Sequence, residues 1–232
     1  RVPNSVEDAL AILRQCKVRT LNCSNMRLAD SGCLVLSEGL KNNTSLQVLL
    51  LRQQKIGISG IKTIAISISK LPLLRELNMY RNILGEQGAN LLADALAANC
   101  PSLVCLWLGD NRIQTFPLSL LKLKPLQRLY LNENQIETIP RDVALLPSLN
   151  LLDLDNNCIS GIPEPIYHCG LRRFPGPRWE LLKAYFADQM RAEEEAARRR
   201  AEEEEERRQQ EEYARKQEEL RQQEAEEEEA GA

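Results

Sequence analysis

Leu126-Gln127-Arg128-Leu129-Tyr130-Leu131-Asn132-Glu133-Asn134-Gln135-Ile136 reads as L-x-x-L-x-L-x-x-N-x-L, and the phrase occurs six times in this 232-residue chain. Its copies begin at Val18, Leu46, Leu74, Leu103, Leu126 and Leu149. One match would carry little weight, because leucine is common. Six in one register leave no competing period. Each copy implies one strand and a returning segment, and one such unit cannot bury its apolar edge alone. Neighbouring units must therefore stack into a continuous core.

Successive starts differ by 28, 28, 29, 23 and 23 residues. The longer returns have room for amphipathic helices, as in Leu84–Leu96, where apolar residues recur every three to four positions. The shorter returns, Phe116–Leu121 and Ile139–Leu146, cannot hold a full helix. Pro117 and Pro140 suit short 3₁₀ turns there instead. At the ninth position, where Asn can bond the backbone leaving the strand, the chain has Met26, Gln54, Asn82, Asn111, Asn134 and Asn157. Met26 cannot make that bond and Gln54 makes it less readily, so the ladder should be weakest near the N-terminus.

These residues resemble the leucine-rich repeat family across about 18–165, and the stretches Leu28–Gly32 and Leu84–Leu96 resemble its ribonuclease-inhibitor-like subclass. The resemblance implies an α/β solenoid: a horseshoe arc with a parallel concave sheet and, on the convex side, helices followed by 3₁₀ turns. A long charged C-terminal α-helix should follow. Residues 1–17 read as a capping helix, with Asn4-Ser5 at its start, Glu7 and Asp8 in the first turn, and Ala9, Leu10, Ile12 and Leu13 as the buried stripe. Residues 166–177 read as a turn out of the solenoid, and 178–230 as the helix.

Composition fits one leucine-built core: 43% of residues are apolar but only 4% aromatic. No apolar run approaches the ~20 residues of a membrane span, and no leader is visible. The chain starts at Arg1, as expected of a fragment or processed product. Seven cysteines make no disulfide framework. Cys23 takes a ladder position, Cys16, Cys33, Cys100 and Cys105 lack a capping pattern, and Cys158 and Cys169 are the one pair placed to bridge. Buried reduced thiols imply a cytoplasmic protein, which leaves the sequons at Asn22 and Asn42 unused.

Charge is segregated. Residues 178–232 carry 11 Lys/Arg and 19 Asp/Glu, a net of −8, which leaves about +5 of the whole-chain −3 for the first 177 residues. That basicity is too diffuse for nucleic acid, with no Lys/Arg cluster interleaved with aromatics. In the tail, Trp179, Leu182, Tyr185, Phe186 and Met190 keep an apolar stripe. Beyond them Glu194–Arg198, Glu195–Arg199, Glu203–Arg207, Glu204–Arg208 and Glu211–Arg215 stand in the favourable order for a solvated helix. Only Tyr213 and Leu220 remain apolar, so residues 191–230 are either a single helix or one strand of a coiled coil with a partner helix.

The chain reads as no enzyme. Its one histidine, His168, sits beside no nucleophile motif, and no phosphate-cradling glycine loop occurs. Asp153, Asp155, Asn157 and Glu164 imitate a calcium loop, but Cys158 occupies the position that needs Gly, so no metal is expected. No cofactor is implied.

Function should lie in the side chains between the leucines. Leu50, Tyr80, Trp107 and Tyr130 fall on adjacent strands, with Arg52, Arg75, Arg81 and Arg128 around them. Asp110, Glu133, Asp153 and Asp155 form an acidic end. Aromatic and arginine side chains are what interface hot spots use. The expected function is a non-enzymatic scaffold for other proteins in a large assembly, with the helix as a spacer. The layout is similar to leucine-rich repeat proteins of axonemal and other cytoskeletal assemblies, which implies a cytoplasmic, cytoskeletal or ciliary setting. The alternative is a regulatory sensor or inhibitor that occludes a target, as in ribonuclease-inhibitor-like relatives.

Overall fold

Why the motif folds as it does is visible in the register of its strands. A computed structural model describes residues 2–15, 18–162, 174–175 and 177–230. The six copies supply β1 (Thr20–Asn22), β2 (Val48–Leu50), β3 (Glu76–Asn78), β4 (Cys105–Trp107), β5 (Arg128–Tyr130) and β6 (Leu151–Asp153), paired in parallel and in sequence order. Leu21, Leu49, Leu77, Leu106, Leu129 and Leu152 stand opposite one another and are each 0% exposed. Alternation along a strand sends these leucines inward and their neighbours to the other face. The fold is a leucine-rich repeat solenoid.

Returns differ as their lengths demand. After β1, β2 and β3 come α2 (Ala29–Leu40), α3 (Ile58–Ile68) and α4 (Gly85–Asn99). In α4 the buried residues Gly88, Ala89, Leu92, Ala93 and Leu96 follow the three-to-four spacing. After β4 and β5 the chain makes only the 3₁₀ segments Leu118–Lys122 and Arg141–Leu145, which begin from the extended backbones of Pro117 and Pro140. A solenoid needs an end piece because its last ladder would otherwise meet water. At the start, α1 (Val6–Arg14) buries Ala9 and Leu13, while Leu10 and Ile12 are only half-buried. Its first turn is closed by Ser5 Oγ, which accepts from the Asp8 N–H at 3.1 Å, while Asp8 accepts from the Asn4 N–H.

Two findings refine the ladder. Asn82 Oδ1 accepts from the N–H groups of Gln54 and Ile56 at 3.1 and 3.0 Å, and its Nδ2 donates to the carbonyls of Leu51 and Met79. Asn134 and Asn157 repeat that bridge to the preceding turn. Gln54 makes only part of that set, as its longer side chain implies: it is 0% exposed, accepts from the Leu28 N–H at 3.1 Å and donates to the Arg52 carbonyl. It still ties its turn to the preceding repeat, so only the Met26 repeat lacks the amide. Immediately before, the eighth-position residues Asn25, Gln53, Arg81, Asp110, Glu133 and Asn156 all have φ between 52° and 64°. This left-handed step turns the chain out of each strand, and it is made without glycine.

The sheet does not stop at β6. Phe174–Pro175, inside the segment read as a turn, forms β7 and pairs antiparallel with Leu151–Leu152. The last helix, α5 (Pro177–Ala230), starts one residue earlier than the composition change at Arg178. The chain divides into two compact units, Arg1–Ala184 and Tyr185–Ala232. In the second unit the Tyr185 and Phe186 rings sit 5.6 Å apart, and every described residue from Arg191 on is exposed. Its ion pairs include Arg198–Glu202 at 2.9 Å and Glu212–Lys216 at 2.7 Å. The expected Glu194–Arg198 and Glu203–Arg207 give way to Arg198–Glu202 and Arg207–Glu211. Each of those arginines has a glutamate four residues away on both sides, so the choice between them is nearly degenerate.

Candidate protein-binding face

Between the inward leucines, the strands present three rows to the other side of the sheet. One runs Asn22, Leu50, Asn78, Trp107, Tyr130, Asp153, set by the strand register. Two residues further on come Ser24, Arg52, Tyr80, Gly109, Asn132 and Asp155, and then the left-handed row of Asn25, Gln53, Arg81, Asp110, Glu133 and Asn156.

Trp107 and Tyr130 are direct neighbours in the first row, and their rings stack with centroids 3.5 Å apart and planes 4° apart. The stack covers Tyr130, which is only 4% exposed, while Trp107 stays half-buried. Tyr130 is therefore a support for Trp107 rather than a solvent-facing side chain. The indole N–H is buried without an oxygen acceptor, beside the Cys105 thiol of the same strand.

Tyr80 takes a course that the spacing of the repeats does not reveal. Its ring crosses the next repeat above Gly109, and its hydroxyl donates to Glu133 Oε1 at 2.9 Å in the repeat beyond. A Cβ on Gly109 would lie 2.8 Å from Tyr80 Cδ2 and 2.6 Å from Asn132 Oδ1, so the missing side chain is what makes room. Asn132 Nδ2 donates to the same Glu133 oxygen at 3.1 Å. The guanidinium of Arg52 lies 5.1 Å from the Tyr80 ring centre and that of Arg81 5.6 Å, both within cation–π reach. Arg81 Nε also donates to Asp110 Oδ2 at 3.1 Å. Burial, then the bond to Glu133, pushes the Tyr80 phenol above its ordinary pKa. The bond to Asp110 does the same for Arg81.

Tyr80, Arg52, Arg81, Asp110, Glu133, Trp107 and Tyr130 thus come together as two adjoining groups. Leu50 is half-buried, and Asn78 stands between it and Trp107, which separates it from the stack. Arg128 is exposed beside Cys105, its partner in the register. The acidic end is less available than its composition implies. Asp110 and Glu133 are engaged within the face, and Asp153 is 5% exposed on a strand flanked on both sides. Asp155 is half-buried and accessible in part. Gly109 and Asn132 escaped sequence reading, although a glycine breaking the seventh-position row between Tyr80 and Asn132 was a sign that something lies over it.

Among the described residues no group of three or more His, Cys, Asp or Glu is arranged to hold a metal ion. His168 and Glu164 lie outside those residues, as does Cys169; Cys158 is free and exposed. Among the described residues no helix is long and apolar enough to cross a membrane.

A family model described as leucine rich repeat matches residues 94–164. Over 94 residues, 40% of this chain and 9% of the relative, the sequence is 36% identical to NACHT, LRR and PYD domains-containing protein 12 of Homo sapiens. Among solved structures, the plant peptide hormone receptor RGFR1 in complex with RGF2 matches 63% of this chain and 22% of its own, at 24% identity and a TM-score of 0.46. The BIR2 ectodomain from Arabidopsis thaliana covers 41% of this chain and 48% of its own, with 28% identity and a TM-score of 0.35. A leucine-rich repeat protein of Leptospira interrogans covers 66% and 47%, with 24% identity and a TM-score of 0.39. The chain therefore spans less than half the length of each of these proteins.

Proposed function

We propose that this leucine-rich repeat chain is a non-enzymatic adaptor that grips a partner protein on the open face of its sheet. The observation that carries this reading is the clustering there of Trp107 on Tyr130, and of Tyr80 between Arg52 and Arg81. Preorganised aromatic and arginine side chains bury much area on contact while losing little conformational freedom, which is what a binding hot spot requires. Inward packing of those rings would have served stability alone. Asp155 and the carboxylates of Asp110 and Glu133 orient the partner. In the same reading α5 acts as a spacer, or pairs with a partner helix through residues 191–230, within a larger cytoplasmic assembly of the cytoskeletal or ciliary kind.

The test is capture of partners by proximity labelling, comparing the wild type with Arg52→Glu/Arg128→Glu. Both side chains are exposed, so the variant should fold, which circular dichroism verifies. Loss of the partner set supports the reading, and an unchanged set overturns it. Removing residues 191–232 should leave that capture intact and break the larger assembly. The helical returns α2, α3 and α4, which resemble the ribonuclease-inhibitor-like subclass, favour a second reading, a regulatory module that occludes its target. In that case α5 is dispensable for activity and the open face alone suffices.

A further inference from the structure

The open face ends at a row of turns, and there the charge changes character. The tenth repeat position holds Arg27, Lys55, Ile83, Arg112, Gln135 and Cys158, with no acid in any copy. All six are exposed. Between the turns of the second, third and fourth repeats lies a groove of about 340 Å³, lined among others by Gln53, Lys55, Arg81, Ile83, Asp110 and Arg112. Its only carboxylate, Asp110, is already bonded to Arg81, which leaves Lys55 and Arg112 as cations without a counter-charge in the groove. Ile83 stands between them in the row and keeps 45% of its surface in water. Lys55 and Arg112 have φ of 54° and 59°, so each side chain leaves from a sterically confined backbone rather than from a floppy loop.

We infer that this turn-edge groove binds an extended acidic segment of a partner protein, with two carboxylates flanking one apolar side chain. Spacing decides the register. Lys55 and Arg112 sit two repeats apart, about 10 Å at ~4.8 Å per strand. Side chains alternate faces along an extended peptide, so two carboxylates and the apolar residue between them that all face the groove occupy i, i+2 and i+4. That span, about 14 Å at ~3.4 Å per residue, is one the long Lys55 and Arg112 side chains can meet. The apolar residue between the two carboxylates then meets Ile83, and the Gln53 amide is placed to bond the peptide backbone. The groove offers no exposed aromatic ring for a base to stack on, and its cations are too few to track a phosphate backbone, which disfavours nucleic acid. This inference rests on the chain being a protein-binding module but not on the aromatic cluster being the contact.

The experiment uses the full chain and a fluorescently labelled dodecapeptide, read by anisotropy at low and moderate salt. The peptide carries glutamate at every fourth position, leucine midway between and serine elsewhere, so that glutamate and leucine share one face of the extended peptide. Binding should weaken on the order of tenfold or more in Lys55→Glu/Arg112→Glu, and by less in Lys55→Gln/Arg112→Gln. It should fall several-fold with added salt and survive in Arg52→Glu/Arg128→Glu. The same peptide with glutamine for glutamate should not bind. Absence of binding, equal binding by the charge-reversed chain, or stronger displacement by oligo(dT) than by unlabelled peptide overturns the inference. So does salt-sensitive self-association, seen by sedimentation and abolished by Lys55→Glu/Arg112→Glu, because the occupant is then a second copy. Failure here with partner capture intact on the open face overturns this inference alone.

Discussion

The hydroxyl of Tyr80 reaches Glu133 at 2.9 Å although 53 positions separate them, because the intervening repeat offers Gly109 where its neighbours offer side chains. The bond ties the third repeat to the fifth and fixes the ring on which Arg52 and Arg81 lie. Gly109→Ala tests this directly. The new methyl would stand 2.8 Å from Tyr80 Cδ2 and 2.6 Å from Asn132 Oδ1, so the ring must lift off the sheet. We expect a loss of about 1–3 kcal/mol, as for overpacking elsewhere, read as a shift in the urea midpoint. Tyr80→Phe, which keeps the ring and removes only the hydroxyl, should lose about 1 kcal/mol or less. Equal effects of the two would mean that the bridge, not the ring's position, is what matters.

Asn82 occupies a fully satisfied rung of the amide ladder, bonding two N–H groups and two carbonyls of buried backbone. Asn82→Ala strands the Gln54 and Ile56 N–H groups and the Leu51 carbonyl in a place that water does not reach, while the Met79 carbonyl keeps its bond from Asn111 Nδ2. With a stranded buried group costing about 1–3 kcal/mol, the total should reach several kcal/mol, and the chain should unfold at markedly lower urea. Asn82→Gln should recover part of the loss, since Gln54 makes one N–H and one carbonyl bond at the same position one repeat earlier. An Asn82→Ala chain as stable as the wild type would mean that the ladder relaxes around the gap.

Periodicity made the solenoid legible, because a register shared by six copies dictates both strand pairing and burial of the leucines. The switch from helices to 3₁₀ turns was equally legible, since 23 residues leave no room for a full return helix and a proline precedes each short turn. What spacing cannot convey is the path of a long side chain across repeats. Tyr80 lying over Gly109, and Trp107 covering Tyr130, depend on rotamers chosen by neighbours up to two repeats away. The same holds for Asp153, 5% exposed although its place in the row between the leucines reads as outward-facing. β7 itself was masked by proline-rich composition, because Phe174-Pro175 resembles a turn until an edge strand is there to receive it.

Buried thiols give the chain a predictable response to alkali. Desolvation raises Cys23 and Cys33 to about 12, and Cys100 and Cys105 to about 11. In the unfolded chain the same thiols ionise near pH 8.5. The folded-state values are raised, so this contribution to stability is fully present below that pH and is lost as pH climbs from about 8.5 toward 11–12. The urea midpoint should therefore fall through that window, and less steeply in Cys100→Ala. Near neutral pH a maleimide should modify Cys158 in the native chain and leave Cys23, Cys33, Cys100 and Cys105 untouched until denaturant is added. Rapid native labelling of Cys105, tracked by peptide mapping, would show that the Trp107 side of β4 opens readily.

Beyond Met190 every described residue of α5 is exposed, so this part of the 54-residue helix must draw its stability from local terms. Strong helix formers and pairs such as Arg198–Glu202 and Glu212–Lys216, each individually weak, are the available ones. A coiled coil would instead depend on an apolar seam, and Tyr213, 66% exposed, is the only large apolar side chain described beyond Met190. The two sources of stability respond differently to concentration. A peptide of residues 191–230 should be largely helical by circular dichroism at any dilution and monomeric by sedimentation. It should lose part of its helicity in about 1 M salt, where exposed pairs are screened. Acid should weaken it as well, because the bond from Lys216 holds the Glu212 carboxyl below its ordinary pKa, a contribution present at neutral pH and lost as pH falls through that value. Helicity that rises with concentration and resists salt would place an oligomeric seam along this segment and end the single-helix account.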